Sequence, residues 1–348
     1  MSSLRVIIGR VTAFGVGFLL LLALLDMQLI RNAPTLEELK YRELLHPERP
    51  ADVVIFGSSI TVHGISPNEL TPFVDVRCPL GRIYNFGYYG GQPIFHRAWY
   101  ERLFRESVHH PRVVVIALDW LSLDVDWKRL EQDARFLPLR TFIALWRDAE
   151  WSDRSMMVLN RFRVFRAGPD IAHVVFKDDS ISRRYFAGYI PLKGRQEQRP
   201  EKGRIVRMDG QALSALAVLV DDLHRDNIEV VLVQMPALVA ESIQGLPRLR
   251  HIYRSLAVSR QVPLIDFTVG ASAELFADPH LFSDGLHLNA TGSALLTKML
   301  ARDLVGALRT GSHGLCQSKY RNPEPQQQIT IGKPTQTTKT PSQKSRAD

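Results

Sequence analysis

Five short, nearly unbroken apolar runs limit the architectures open to this chain: Asp52–Phe56, Arg82–Phe86, Arg112–Asp119 ("RVVVIALD"), Glu229–Met235 ("EVVLVQM") and Val262–Phe267 ("VPLIDF"). A strand with one wet face alternates apolar and polar residues, whereas a strand buried on both faces reads as a continuous run. Between the runs lie "PIFHRAWYERLFRESV", "QALSALAVLVDDLHRDN" and "LPRLRHIYRSLAVSRQ", each apolar at helical spacing, and a last helix puts Leu296, Leu300, Leu304 and Leu308 on one stripe. Strand alternating with helix predicts the α/β class, a parallel sheet covered on both faces, with ligands at the carboxyl ends of the strands. At 348 residues, 45% of them hydrophobic, material for a core is not limiting.

The N-terminus reads differently. Val11 to Leu25, "VTAFGVGFLLLLALL", is uncharged, and continuing to Ile30 admits only Asp26. That gives about 20 residues, roughly 30 Å of helix, enough to span a bilayer. Arg5 and Arg10 precede the run, so the N-terminus is expected in the cytoplasm and the rest across the membrane, on the periplasmic or other extracytoplasmic side. A cleaved signal peptide is the competing reading, and "DMQLIRNAP" offers it a poor cleavage site. The chain then divides into a cytoplasmic N-terminus at 1–10, an anchor at 11–30, a short helical linker at 31–50 and a folded domain over 51–309. An aromatic and Arg-rich insertion or lid interrupts that domain at about 125–205. From 310 to 348 the sequence is polar and Pro-containing, a composition expected to stay disordered.

Residues 126–205 carry 17 basic and 11 acidic side chains and residues 310–348 carry 6 and 2, so the net charge of +8 originates there. A solvated, ion-paired surface and a contact with anionic headgroups or an acidic polymer both fit that excess. No nucleic-acid recognition motif is present. His63, His96, His109 and His110 lack metal-ligand spacing, and neither a metal nor another cofactor is implied. Two cysteines, Cys78 and Cys316, are too few for a disulfide framework and reveal no redox compartment, although a single bridge between them stays open.

Two segments carry candidate chemistry. "VVIFGSSITVHG", Val53 to Gly64, runs from a strand into a glycine and two serines, and "FSDGLHLNATG", Phe282 to Gly292, precedes the last helix. Serine is a weak nucleophile that needs a base within hydrogen-bond reach, oriented by a third group. Ser59, His287 and Asp284 can supply those roles, the last two being three residues apart. Ser58 is the alternative nucleophile, and a turn serine, a helix-capping histidine and a turn glycine are the plainer readings of Ser59, His287 and Gly90. Asn289 is a better helix cap than His287, and Asp119 ends a strand in a functional position without an assigned role.

"FGSSIT" together with "DGLHLNATG" resembles the first and last sequence blocks of the SGNH, or GDSL-type, hydrolase superfamily. The resemblance implies a three-layer α/β/α sandwich of the flavodoxin-like kind, here preceded by one N-terminal transmembrane helix. It also implies Ser59 as nucleophile, His287 as base and Asp284 as its orienter. "NFGYYG", Asn85 to Gly90, is similar to the family's second block, which passes the oxyanion role to the Gly90 amide beside that of Ser59, with Asn85 holding the loop or lining the substrate site. The third block departs. Where the family has Gly-x-Asn-Asp, this chain reads "IALDWLSLD", so the usual side-chain oxyanion donor is missing. Divergent membrane-anchored members serve in O-acylation of cell-envelope polysaccharides beside a multi-span membrane O-acyltransferase. The resemblance therefore implies an esterase or O-acetyltransferase acting on an acylated glycan, or else a degenerate module that binds glycan or docks on such an acyltransferase. No G-x-S-x-G elbow occurs in the chain.

Overall fold

Each apolar run becomes a strand, trimmed by a residue or two at its ends: β1 (Val53–Phe56), β2 (Ile83–Asn85), β3 (Val113–Leu118), β4 (Glu229–Gln234) and β5 (Leu264–Asp266). They form one sheet in the order β2-β1-β3-β4-β5, every pair parallel. Among the described residues the α-helices are α1 (Ser2–Asn32), α2 (Leu36–Leu44), α3 (Ser59–Gly64), α4 (Pro67–Asp75), α5 (Pro93–Leu103), α6 (Leu139–Asp148), α7 (Trp151–Asn160), α8 (Gly210–Arg225), α9 (Leu246–Arg260), α10 (Gly270–Leu275) and α11 (Ala290–Thr310). The computed structural model describes residues 2–32, 36–45, 50–75, 78, 80–104, 109–124, 139–148, 151–160, 187–192, 205–238, 243–310 and 316.

Alternate residues of each strand feed two separate cores, which is why the runs are continuous rather than alternating. Val54, Phe56, Val114, Ile116, Val230 and Leu232 pack with α5, α8 and α9. Val53, Ile55, Val113, Val115, Val231 and Val233 pack with α3, α4 and α11. The expected stripe Leu296, Leu300, Leu304 and Leu308 lies wholly in this second core. At about 1.5–3 kcal/mol for each buried leucine, that stripe fastens the last helix, and with it the loop that precedes it. The three layers agree with the sequence expectation.

The cysteines settle a point that counting left open: Cys78 and Cys316 are joined in a disulfide. Their separation of 238 residues gave no spacing signal, but α4 packs on α11, and each cysteine follows one of those helices. A cross-link closing so long a loop typically contributes about 2–4 kcal/mol, chiefly by constraining the unfolded chain. Cys316→Ser is accordingly expected to lower the urea midpoint of unfolding. Identical midpoints for oxidised, reduced and substituted protein would show that the bond adds no stability.

Among the described residues no helix is long and apolar enough to cross a membrane. The anchor expected over 11–30 lies within the 31-residue helix α1, and its side chains at 26–30 are outside those described. Of the insertion expected over 125–205, α6, α7, residues 187–192 and Ile205 are described, and α6 packs on α7. The rest of the insertion and the tail beyond Thr310, Cys316 excepted, lie outside the described residues.

Candidate active site

In the order β2-β1-β3-β4-β5 the chain reverses direction of winding between β1 and β3, and in open α/β sheets that crevice is where ligands bind. β1 ends at Phe56, Gly57 follows, and α3 begins at Ser59. Ser58 caps α3: its hydroxyl accepts from the Ile60 N–H at 3.2 Å and donates to Asp119 Oδ2. Asp119 stands at the end of β3, so this hydrogen bond spans the crevice and locks the residue before Ser59. Burial pushes the Asp119 carboxyl above its ordinary range, opposed by hydrogen bonds from Ser58, Leu121 N–H and Ser122 and by nearby His287.

Ser59 is thereby left at the first position of the helix, where its own N–H has no intrahelical acceptor. Its hydroxyl donates to His287 Nε2 at 2.8 Å. On the other side of the ring, His287 Nδ1 donates to Asp284 Oδ2, also at 2.8 Å. Asp284 Oδ1 accepts from the Leu286 and His287 N–H groups, both at 2.7 Å, so the carboxylate that orients the imidazole also shapes the turn carrying it. Asn289 accepts from the Gly292 N–H at 3.0 Å, capping α11 as expected and leaving His287 free of that duty. The three side chains, 228 residues apart at the extremes, form one hydrogen-bonded chain.

Burial raises the Asp284 carboxyl, but hydrogen bonds from the His287 ring, from two backbone amides and the His287 charge outweigh it and hold the group at about 2, below its ordinary 3.8. A carboxylate whose folded pKa is depressed adds stability above the unfolded value, and that stability is lost as pH falls through the folded one. Between pH 4 and pH 2 the wild type is therefore expected to lose stability more steeply than Asp284→Asn, measured as urea midpoint against pH. Parallel curves would refute the assignment.

Gly90 has φ of 68°, a left-handed conformation that glycine adopts without strain. Beside it, a Cβ on Gly91 would strike the Gly57 carbonyl, so the loop after β2 lies directly on the β1 exit. Tyr88 N–H donates to that same Gly57 oxygen at 3.1 Å. Asn85 is fully buried. Its Nδ2 donates to Thr61 O and Ile65 O, both at 2.8 Å, and its Oδ1 accepts from Gly87 N–H at 2.9 Å. The side chain is thus occupied in tying this loop to α3 and holds the loop rather than facing a substrate.

Four contributors lay wholly or partly beyond sequence reasoning. Asp119 was visible as a strand-end carboxylate, but its partner was not. His63 is four residues after Ser59 on α3, and its ring meets the His287 ring edge-on with centroids 5.4 Å apart. Its Nδ1 donates to Ile190 O at 2.7 Å, and burial, opposed by that bond, lowers its pKa to about 4, which keeps it neutral near pH 7. Residues 187–192, within the insertion, are tied to the helices beside the site: Ile190 N–H bonds Val62 O, and Leu192 O accepts from Ala290 N–H. Lys40 is the fourth, and no feature of the linker sequence marked it. Among the described residues no cluster of His, Cys, Asp and Glu suits a metal ion.

A Gly-Ser-Ser turn leaving the first strand, and an Asp-x-x-His turn entering the last helix, meet at the crevice as the two outer blocks require. The chain resembles the SGNH hydrolases. No protein-family model and no curated protein matches it. Among solved structures it is similar to a lipase/acylhydrolase from Enterococcus faecalis, at 14% identity over 74% of this chain and 96% of that one, TM-score 0.39. A catalytic mutant of the acetylxylan esterase Axe2 from Geobacillus stearothermophilus matches at 11% identity over 75% and 94%, TM-score 0.40. A two-domain esterase active on acetylated mannans matches at 12% identity over 77% of this chain and 53% of that one, TM-score 0.39. Likeness at this level decides neither chemistry nor substrate, and the case for both rests on the chain's own strand order and side-chain geometry.

Proposed function

We propose that this chain is a serine-dependent, SGNH-type enzyme that works on acyl esters of an extracytoplasmic glycan or cell-envelope polymer. The observation that carries the proposal is the unbroken chain from Ser59 through His287 to Asp284 at the carboxyl ends of the strands. His287 Nε2 takes the hydroxyl proton as Ser59 Oγ attacks the ester carbonyl carbon. The oxyanion is held by the Ser59 and Gly90 amides, while Asp284 stabilises the imidazolium. That imidazolium then protonates the departing alcohol. Water or a sugar hydroxyl, deprotonated by the same imidazole, releases the acyl group from Ser59, giving esterase or O-acetyltransferase activity respectively. The test is incubation with a fluorophosphonate and mapping of the adduct by mass spectrometry. Labelling of the peptide that carries Ser59 supports the proposal, and labelling elsewhere or none on folded protein overturns it.

We place the domain outside the cytoplasm, anchored in the membrane by the N-terminal helix. Arg5 and Arg10 before the apolar run favour that orientation. Val11, Phe14, Leu20 and Leu24 of α1 face outward, as side chains meeting lipid would. The Cys78–Cys316 bond suits an oxidising compartment. A second reading, a catalytically silent module that binds glycan or docks on a multi-span O-acyltransferase, is favoured by one observation: at the end of β3 stands the acceptor Asp119, turned onto Ser58, in place of a side-chain oxyanion donor. The same labelling experiment separates the two.

A further inference from the structure

Lys40 lies in α2, in a segment the sequence offers only as a linker, yet it is completely buried. Its amine donates to Asn85 O at 3.1 Å and to Gly87 O. These are the carbonyls at the start of the loop that ends in Gly90. We propose that Lys40 is a positioning residue for this loop: by binding both carbonyls it sets where the Gly90 amide stands relative to Ser59. The proposal rests on the serine-enzyme reading and extends it to a part of the chain outside the sheet.

Burying an amine is costly unless its donors are used, and an apolar side chain of similar length would fill the space without that cost. The amine is not needed to dock the helix. Glu43 accepts from Arg82 and from Tyr84, each at 3.0 Å, the Tyr41 ring packs on Trp99 with centroids 5.8 Å apart, and Leu44 enters the first core. What the amine adds is directed at the loop alone. On its inner side the loop is already fixed to the end of β1, through Phe86 N–H to Ile55 O at 2.8 Å and Tyr88 N–H to Gly57 O. The Asn85 and Gly87 carbonyls alternate with those amides and point the other way, where a buried carbonyl requires a donor. Burial lowers the Lys40 pKa to about 7, against the pull of Glu37 and Glu43. Charged or neutral, the amine keeps two N–H groups for its two acceptors, so the tie survives on either side of that pH.

The experiment uses the full chain as wild type, Ser59→Ala, Lys40→Met and Lys40→Ala, the last with and without added n-propylamine. Turnover of an aryl acetate, thermal unfolding and hydrogen exchange of the 86–91 amides are measured on each. For Lys40→Met the expected result is a kcat lower by about 10- to 100-fold, the scale of a misplacement near 1 Å. KM should stay within about twofold, and exchange in 86–91 should be faster on a folded protein. In Lys40→Ala, n-propylamine, which replaces the atoms removed beyond Cβ, should restore part of kcat and n-propanol should not, a result that a purely space-filling role would not give. Unchanged kcat and exchange in folded Lys40→Met overturn the proposal. If that variant does not fold, failure of the amine to restore Lys40→Ala overturns it instead. Wild type without Ser59-dependent turnover would sink the serine reading and not this one, because exchange in 86–91 would then decide alone, and unchanged exchange would reject it.

Discussion

With Ser59 replaced by alanine, turnover of an aryl acetate is expected to fall by about 10⁴- to 10⁶-fold, the range seen when a nucleophile is removed from a triad of this kind. Thermal unfolding should hardly change, because Ser59 is neither the helix cap nor a core residue: the cap is Ser58. The neighbouring substitution makes the contrast. Ser58→Ala removes the bond from Ile60 N–H and leaves Asp119 short of one donor. It should cost about 1–3 kcal/mol of stability while Ser59 still takes up the fluorophosphonate. Equal loss of turnover in the two variants, with labelling gone from both, would mean that the strand-end turn matters as a whole and Ser59 has no special part.

Asp284→Asn should lower kcat by about 10⁴-fold with KM little altered. The substitution keeps an oxygen for the Leu286 and His287 amides, so the turn survives. What changes is the partner of His287 Nδ1: an amide N–H₂ in place of the Oδ2 acceptor favours the tautomer with the proton on Nε2, the atom that must accept from Ser59. The imidazolium of the transition state also loses its counter-charge. A loss of less than tenfold, on protein that folds, would show that His287 works without Asp284 and would demote the carboxylate to a turn former.

The sheet was legible because burial on both faces leaves an unmistakable run: all five strands fall inside the predicted ones. The helices at Pro93, Gly210 and Leu246 were legible by period, and the stripe from Leu296 to Leu308 by its spacing of four. Ser59, Asp284 and His287 could be picked out because each sits at a strand end or helix start, where local turn chemistry is written in sequence. Lys40 could not. "LEELKYREL" reads as a charged surface helix, and nothing local distinguishes the lysine that turns inward from the arginine that stays out, Arg42. The Asp119 contact with Ser58 and the joining of Cys78 to Cys316 depend likewise on which elements become neighbours, information that appears only when the sheet is assembled. Asn85 carried a mixed expectation, loop-holder or substrate ligand, and its burial accounts for the first.

In the proposed mechanism the nucleophile Ser59 and its base His287 are separated by 228 residues, and the base precedes α11, whose leucine stripe is packed in the second core. A chain that has not yet produced residues 284–310 possesses a serine of ordinary reactivity, on a turn with no imidazole to activate it. On that reading the site is armed only once residues 284–310 have been made and folded against the sheet. A copy that stops short of residue 284 would then be harmless to the esters around it, without requiring any separate inhibitor.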